Sequence, residues 1–272
     1  MKTRVITGIA LAGLLIPLFL IGGWFLYGML LVLSMVATYE FFQLYNATEK
    51  LPMWVGAVYV LYSGVLFHFL AMYFTGDLAL EWAFLALVDL LIGISLLLVF
   101  VPSFGGHRAG EMLFSILYPA FGFAAIYFFS EDVYAIGFVF LITVATDIFA
   151  YIVGINFGKH RLAVNISPKK SIEGSIGGTL AAMILVVIYV LVVDLEVIGS
   201  IALNIGPTIG LVFVLSIIGQ IGDLVASKIK RQMGIKDFSN IFPGHGGIMD
   251  RFDSVLLVGI VVLFISLLVD ML

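Results

Sequence analysis

Two carboxylates stand three residues apart after a glycine-rich stretch near the end of the sequence. Residues 243–247 read Pro-Gly-His-Gly-Gly, and Asp250 and Asp253 follow where an apolar run begins. Side chains three positions apart share one face of a helix. Carboxylate oxygens are the ligands that Mg²⁺ prefers, and Asp223 in the preceding apolar run is a third candidate. These residues predict a Mg²⁺ site of the kind that binds a nucleotide phosphate.

Two of these residues also have a structural interpretation. A carboxylate in the first turn of a helix stabilises that helix by up to about 1 kcal/mol, so Asp250 could be only a cap. His245 could be a turn residue, a ligand or a proton carrier. The residue types alone leave these alternatives open.

A second segment concentrates groups that bind anions. Residues 167–178 read Ser-Pro-Lys-Lys-Ser-Ile-Glu-Gly-Ser-Ile-Gly-Gly and precede an apolar run. Lysines supply compact positive charge, glycines let the backbone approach an anion, and a helix N-terminus presents unpaired N–H groups. The order of residues that defines a Walker loop is missing. The segment therefore predicts phosphate binding of another kind, or a basic loop that contacts anionic lipid.

Two apolar runs carry polar residues at helical spacing. The first stripe leads to basic residues and consists of Ser216, Gln220, Asp223 and Ser227, followed by Lys230 and Arg231. The second consists of Thr143, Asp147, Tyr151, Gly154 and Gly158, followed by Lys159, His160 and Arg161. Acids inside a membrane span are costly and usually face a bundle interior or a wet cavity. The alternative is hydrogen bonding between helices.

The composition predicts a membrane protein. Hydrophobic residues make up 62% of the 272 positions and charged residues 11%, whereas soluble domains are about one quarter charged. About nine runs approach the length of about 20 apolar residues that one helical crossing requires. They are 5–22, 24–45, 53–74, 80–101, 111–129, 133–157, 175–197, 207–231 and 251–271. We expect an all-α, polytopic transmembrane helical bundle, without disulfides or zinc-thiolate sites because cysteine is absent.

The basic residues predict the orientation of this bundle. All 13 Lys and Arg residues fall at the N-terminus or in alternate loops, whereas the opposite loops carry only acids. Cytoplasmic loops are enriched in Lys and Arg, so we expect a cytoplasmic N-terminus, an outside C-terminus and a retained first helix. We also expect two parts. Residues 1–130 would form about five helices, and residues 131–272 about four helices with a cytoplasm-facing active site.

The sequence around this site resembles the signature of the phosphatidate cytidylyltransferases, also called CDP-diacylglycerol synthases. The match extends from Ser227 to Asp253 without an identified departure from the family pattern. It comprises Ser227, Lys230, Arg231, Lys236, Asp237, Ser239, Pro243, His245, Gly246, Gly247, Asp250, Arg251 and Asp253. Ser167–Gly174 also resembles the family, as do Asp147, Tyr151 and Gly154. Residues 1–130 resemble it only as hydrophobic helices.

The resemblance implies a Mg²⁺-dependent reaction of phospholipid biosynthesis. Phosphatidate would attack the α-phosphate of CTP, release pyrophosphate and form CDP-diacylglycerol. The metal ligands would be Asp223, Asp250 and Asp253, with Asp147 as a further candidate and a second cation allowed. The same three acids would be catalytic together with Lys230 and Arg231. The residues that bind CTP or phosphatidate would be Ser167, Lys169, Lys170, Glu173, Ser227, Lys236, His245, Gly246, Gly247 and Arg251.

Two other functions remain open from the sequence. A CTP-dependent lipid-alcohol kinase would use the same nucleotide and metal but would transfer the γ-phosphate. A secondary transporter or ion channel would also place Asp147 and Asp223 inside a bundle, with acids lining a path to both membrane faces. The lysine-rich segments and the motif around His245 favour the cytidylyltransferase.

The resemblance also implies the partners and the location. We expect CTP, phosphatidate and membrane lipids as partners, no nucleic acid, and a multi-pass protein of the cell (inner) membrane. A homodimer is implied by the resemblance alone. Glu40 and Asp89 are acids inside apolar runs without an assigned role, and packing and assembly are both open for them.

Overall fold

The computed structural model describes residues 13, 15–47 and 50–272, most of which are helical. The long helices are α1 (Gly23–Asn46), α2 (Met53–Phe74), α3 (Leu80–Phe100), α4 (Gly106–Phe128), α5 (Val133–Phe157), α6 (Ile172–Val193), α7 (Ile205–Gln232) and α8 (Met249–Asp270). Two short antiparallel hairpins connect some of them, formed by β1 (Arg161–Ala163) with β2 (Ser167–Ser171) and by β3 (Val197–Ile198) with β4 (Ile201–Ala202).

The helix lengths and apolar sequences confirm a multi-pass membrane protein. Within the described residues, α1 to α8 are eight helices long and apolar enough to cross a membrane. The prediction of an all-α transmembrane bundle is confirmed. The predicted run at 5–22 lies largely outside the described residues, although residues 15–21 are helical. The orientation of the termini stays a prediction.

The chain divides into two compact units, of which the first runs to Phe128 and includes Asp237–Arg251. Helices α1, α2 and α4 of this unit pack together through fully buried large side chains, among them Leu26, Leu30, Phe41, Tyr59, Phe67, Met112 and Phe123. Buried hydroxyls join the same helices. The Thr38 Oγ1 atom lies 2.8 Å from Ser63 Oγ and 2.9 Å from the Ser115 carbonyl oxygen. Such bonds stabilise helix packing in lipid, where apolar burial drives association only weakly.

Helix α4 begins five residues earlier than the predicted run at 111–129. The prediction began too late because the first turns of the helix contain two charged residues, whose charge lowers the hydropathy of this stretch. The Arg108 guanidinium is buried, pairs with Glu111 at 2.9 Å and donates to the Tyr45 carbonyl oxygen at 2.7 Å. That carbonyl lies in the last turn of α1, where a cation satisfies unpaired acceptors. Arg108 was expected in a loop, and that expectation is wrong.

The second unit contains Phe129–Lys236 and Phe252–Leu272. Its closest helix pair is α5 with α6, which approach backbone to backbone. A Cβ atom at Gly178 of α6 would lie 2.5 Å from the Thr146 carbonyl oxygen and 2.9 Å from Ala150 Cβ, both in α5. Small residues at such contacts let membrane helices pack tightly. The resulting pair positions the hairpin β1–β2, which connects the two helices.

Helix α6 starts and ends earlier than the predicted run at 175–197. The Ser171 hydroxyl accepts a hydrogen bond from the Gly174 N–H at 3.1 Å, which caps the N-terminus. At the other end, Asp194 adopts a left-handed conformation (φ 54°) that stops the helix. The residues that follow form the hairpin β3–β4, which the apolar composition did not reveal.

Candidate active site

An ion pair joins the two segments that were predicted to bind metal and phosphate. The Lys170 ammonium of β2 contacts the Asp223 Oδ2 atom of α7, and both side chains are 26% exposed. The Ser227 hydroxyl, one turn further along α7, donates to Asp223 Oδ1 at 3.2 Å. A predicted phosphate ligand and a predicted metal ligand therefore lie together and neutralise each other.

A second acid and a second lysine extend this site. The Asp253 side chain of α8 and the Lys230 side chain of α7 are each about nine-tenths buried, with 8% exposure. The charged groups that act on the Asp253 carboxylate are Asp223, Lys230 and Asp147. The Ser254 N–H donates to Asp253 Oδ1 at 2.8 Å.

We call these five residues the acid–lysine cluster. Its members lie in one unit and are Asp147, Asp223, Asp253, Lys170 and Lys230. The Asp147 carboxylate in α5 interacts electrostatically with Lys170 and Asp223. Acids of three separate apolar runs thus lie with two lysines in one unit, and their roles in metal and substrate binding stay predictions.

The polar stripe on α7 divides between the two explanations that the sequence left open. The Gln220 Oε1 atom accepts from Ser175 Oγ at 2.5 Å, and Gln220 Nε2 donates to Thr179 Oγ1 at 3.1 Å. The Ser216 hydroxyl bonds to Thr146 at 2.9 Å and to Thr179 at 3.0 Å. These residues join α5, α6 and α7, as the helix-bonding interpretation requires. Asp223 and Ser227, further along the same face, belong to the charged site.

The predicted substrate residue Glu173 binds protein groups. Its carboxylate accepts from the Lys159 N–H at 3.1 Å, from the His160 N–H at 3.2 Å and lies 2.6 Å from His160 Nδ1. This joins the start of α6 to the end of α5, beside the hairpin. A role of Glu173 in substrate binding stays a prediction.

Several of the other residues that were predicted to be catalytic or to bind substrate are exposed at the surface. Lys169, Arg231, Lys236 and Arg251 are exposed, and Ser167 is half-buried. The Arg231 Nη1 atom donates to the Ile235 carbonyl oxygen at 2.8 Å. Tyr151 is exposed as well. Exposed cations can move toward an anionic ligand without breaking a packed core.

The first unit holds Asp237–Arg251, which we call the signature segment. The Asp250 Oδ2 atom accepts from the Phe238 N–H at 2.8 Å and from the Gly247 N–H at 2.9 Å. Both donors precede α8, so these bonds hold the loop before the helix. These bonds leave its metal-binding interpretation untested.

The glycine-rich turn has conformations that favour glycine. Gly244 and Gly246 have φ values of 80° and 82°, which side chains with a Cβ atom rarely adopt. A Cβ atom at Gly246 would also lie 2.6 Å from Asp250 Oδ2. His245 is half-buried, and its N–H donates to the Phe242 carbonyl oxygen at 2.8 Å. The turn therefore positions His245 beside the start of α8.

A residue outside the signature segment, to which the sequence assigned no role, binds that segment. Glu40 of α1 accepts hydrogen bonds from Ser239, Ile248 and Met249. The available signal was an acid inside an apolar run, which usually has a polar partner in the bundle. No sequence pattern identifies a partner 199 to 209 positions away.

The donor chemistry of the acid–lysine cluster suits Mg²⁺. Asp223 and Asp253 supply carboxylate oxygens, the ligands that this ion prefers. Among the described residues, however, no group of three or more His, Cys, Asp or Glu side chains is arranged to hold a metal. Lys170 provides the positive charge beside Asp223 instead. The Asp223 Oδ2 atom is therefore occupied by the Lys170 ammonium in this structure.

Comparison with known protein families identifies the family to which this chain belongs. The sequence model described as the cytidylyltransferase family matches residues 2–269. The chain belongs to the cytidylyltransferase family. The predictions of this family and of a nucleotidyltransferase are confirmed.

Cytidylyltransferases of staphylococci are similar to the chain over nearly its whole length. The phosphatidate cytidylyltransferase of Staphylococcus haemolyticus (strain JCSC1435) is 34% identical over 266 residues, covering 95% of this chain and 96% of the relative. The protein of the same name from Staphylococcus aureus (strain COL) has the same identity and coverage. That of Staphylococcus epidermidis (strain ATCC 12228 / FDA PCI 1200) is 35% identical over 268 residues, again covering 95% and 96%.

Proposed function

We propose that the protein is a phosphatidate cytidylyltransferase. A phosphate oxygen of phosphatidate bonds to the α-phosphorus of CTP, the bond from that phosphorus to the β-bridging oxygen breaks, and pyrophosphate leaves. The lipid product is CDP-diacylglycerol. The observation that carries the proposal is the acid–lysine cluster, which combines metal-binding and phosphate-binding chemistry in a chain similar to enzymes of this name.

The cluster provides the groups that this transfer needs. Nucleotidyl transfer depends on positioning and on neutralising phosphate charge. Lys170 and Lys230 would bind phosphate oxygens, and Asp223 and Asp253 would hold Mg²⁺, with Asp250 and Asp147 as further ligands. The ion, when bound, would stabilise negative charge on the transferring phosphate.

The Lys170–Asp223 pair would open when the nucleotide binds. Its two side chains are partly exposed, so their separation does not require unpacking a core. Lys170 would exchange the carboxylate for a phosphate oxygen, and Asp223 would become available to Mg²⁺. The pair thus keeps both groups compensated until the substrate supplies their opposite charges.

The nucleophile does not require a strong base. Phosphatidate is already an anion near neutral pH, so its phosphate oxygen can attack without losing a proton to the protein. His245 therefore has no proton transfer to perform in this proposal. Its place in the turn supports binding or positioning instead.

The proposed site faces the cytoplasm, and the protein acts in the cell membrane. Segregation of Lys and Arg to alternate loops supports this orientation. The multi-pass fold gives access to a lipid substrate, and cytoplasmic CTP would reach the basic loops. A homodimer is proposed from the family resemblance alone.

Omission of single components tests the reaction. Purified protein in detergent receives CTP, Mg²⁺ and phosphatidate, and both pyrophosphate and lipid product are measured. Both products should appear in equal amounts, and each omission should abolish them. Asp253→Asn should lower kcat about 100-fold or more, because it removes a charged ligand. Asp89→Asn is the matched control, an exposed carboxylate of α3 outside the cluster, and should retain activity.

Asp250→Asn separates the two interpretations of Asp250. Asparagine keeps one oxygen that can accept the N–H bonds of Phe238 and Gly247, whereas it loses the charge that a metal ligand supplies. Loss of activity in a stable Asp250→Asn protein supports the ligand role. Full activity would reduce Asp250 to a cap, and full activity of Asp253→Asn would contradict the proposed site.

A further inference from the structure

A buried carboxylate of α1 binds both ends of the signature segment. Glu40 is 1% exposed. Its Oε1 atom accepts from Ser239 Oγ at 2.6 Å and from the Ile248 N–H at 2.9 Å, and its Oε2 atom accepts from the Met249 N–H at 2.9 Å. Both carboxylate oxygens are therefore used to hold the segment.

These contacts cap a helix from outside its own chain segment. Ile248 and Met249 stand at the start of α8, where backbone N–H groups have no acceptor within the helix. A carboxylate satisfies those donors and compensates the positive end of the helix dipole. Asp250 accepts from Phe238 and Gly247 within the segment. Glu40 thus binds the signature segment from α1, and Asp250 forms hydrogen bonds within the segment.

The glycine at 247 is explained by the same carboxylate. A Cβ atom there would lie 2.6 Å from Glu40 Cδ and 2.7 Å from Ser239 Oγ. These distances are too short for any real Cβ contact, and the clash is with the anchored carboxylate. Gly247 is not among the residues with positive φ. Space for Glu40, and not backbone conformation, therefore requires glycine at this position.

Aromatic packing holds α1 against the segment beside Glu40. The Phe41 and Phe238 rings meet edge to face with centroids 5.0 Å apart. Phe41 is 1% exposed, and Phe238 is buried as well. The Glu40 carboxylate is therefore enclosed, so a change in its hydrogen bonding cannot be compensated readily by water.

We propose that Glu40 is a positioning residue for cytidylyl transfer, holding the signature segment in the conformation that the reaction requires. This inference rests on the proposed function. All three donors to Glu40 are neutral N–H or O–H groups. In Glu40→Gln, the amide nitrogen would replace one acceptor and face a donor, so at least one bond is lost without a change in side-chain size.

Kinetics and hydrogen exchange of Glu40→Gln test the proposal together. We expect kcat to fall about tenfold or more, as it does when a residue that orients a ligating side chain through a hydrogen bond is replaced. The KM for phosphatidate should change less than about twofold, since Glu40 acts through the segment and not on the lipid. Amide exchange of a peptide that contains Ile248 and Met249 should accelerate.

Thr38→Val is the matched control for loss of stability. Thr38 lies in the same helix, is fully buried and bonds to Ser63 and Ser115, outside the signature segment. This variant should also lower the thermal midpoint, because it removes buried hydrogen bonds, while retaining kcat and the exchange rate of the segment. An equal fall in kcat in both variants would overturn the proposal, as would a Glu40→Gln protein with wild-type kcat.

A double variant gives a second test that does not depend on Glu40→Gln. Gly247→Ala places a methyl group against the carboxylate, and Glu40→Ala removes that carboxylate. Gly247→Ala should therefore cost a smaller factor in kcat in the Glu40→Ala background than in the wild type. Equal factors in the two backgrounds would overturn the proposed contact.

The outcomes distinguish this inference from the proposed function. If the wild type forms no CDP-diacylglycerol, the proposed function fails, and the positioning role fails with it. If the wild type is active but Glu40→Gln keeps both kcat and slow exchange, only the inference fails.

Discussion

Replacing Lys170 should destabilise the protein because it unbalances a group of carboxylates. The acid–lysine cluster holds three acids and two lysines, so Lys170→Met leaves Asp147, Asp223 and Asp253 with Lys230 alone. Like charges then repel, and Asp223 loses its cation. Adding Asp223→Asn removes one acid and restores the original difference between negative and positive charges.

The burial of the pair limits the size of this effect. Loss of one partner of a buried ion pair costs about 3–5 kcal/mol, and an exposed pair contributes about 0–1 kcal/mol. Both side chains here are 26% exposed, so Lys170→Met should cost about 1–2 kcal/mol. The double variant should recover at least half of that loss. Both variants should be inactive. Lys170→Met lacks the proposed phosphate ligand, and the double variant also lacks the charge of the proposed metal ligand Asp223.

Thermal unfolding in detergent and the CDP-diacylglycerol assay measure the two effects separately. Lys169→Met is the stability control, because Lys169 is the exposed neighbour of Lys170. It should leave the unfolding midpoint nearly unchanged. A double variant as unstable as Lys170→Met would refute the charge-balance argument. An active double variant would refute the roles proposed for Lys170 and Asp223.

Two further substitutions distinguish packing from chemistry. Gln220→Leu removes the bonds to Ser175 and Thr179 and should cost about 1 kcal/mol of stability, at about 0.6 kcal/mol for each bond in a membrane bundle. Its kcat should stay within about twofold; a loss as large as that of Asp253→Asn would place Gln220 in the active site. Gly246→Ala should lower both stability and kcat, because alanine disfavours φ 82° and its Cβ atom meets Asp250. Wild-type melting and turnover would show that the turn tolerates a side chain.

Much of the fold followed from apolar run lengths. Bilayer thickness sets the length of a crossing, so α2, α3 and α5 agree with their predicted runs to within one residue at each end. Helix starts that contain polar residues were placed less well. The first turns of α4 carry Arg108 and Glu111, and α6 begins at a serine cap, so hydropathy alone placed both starts too late.

The cluster was more predictable than its internal pairing. Helical spacing placed Asp223 near Lys230, and the sequence pattern of the hairpin segment marked Lys170 as a phosphate ligand. The ion pair between Lys170 and Asp223 joins residues 53 positions apart in sequence, a contact that requires packing of α6 against α7. Glu40 was left without a role for the same reason, since its partners come from the far end of the chain.

Radioactive label at a single phosphate of CTP distinguishes cytidylyl transfer from γ-phosphate transfer. Purified protein receives phosphatidate, Mg²⁺ and CTP labelled at either the α- or the γ-phosphate, and the lipid is extracted and counted. We expect α-label to enter the lipid as CDP-diacylglycerol and γ-label to leave entirely as pyrophosphate. The same two labels are supplied with a lipid alcohol in place of phosphatidate. Transfer of γ-label to that alcohol, with no α-label in lipid from phosphatidate, would contradict cytidylyl transfer and identify a lipid kinase.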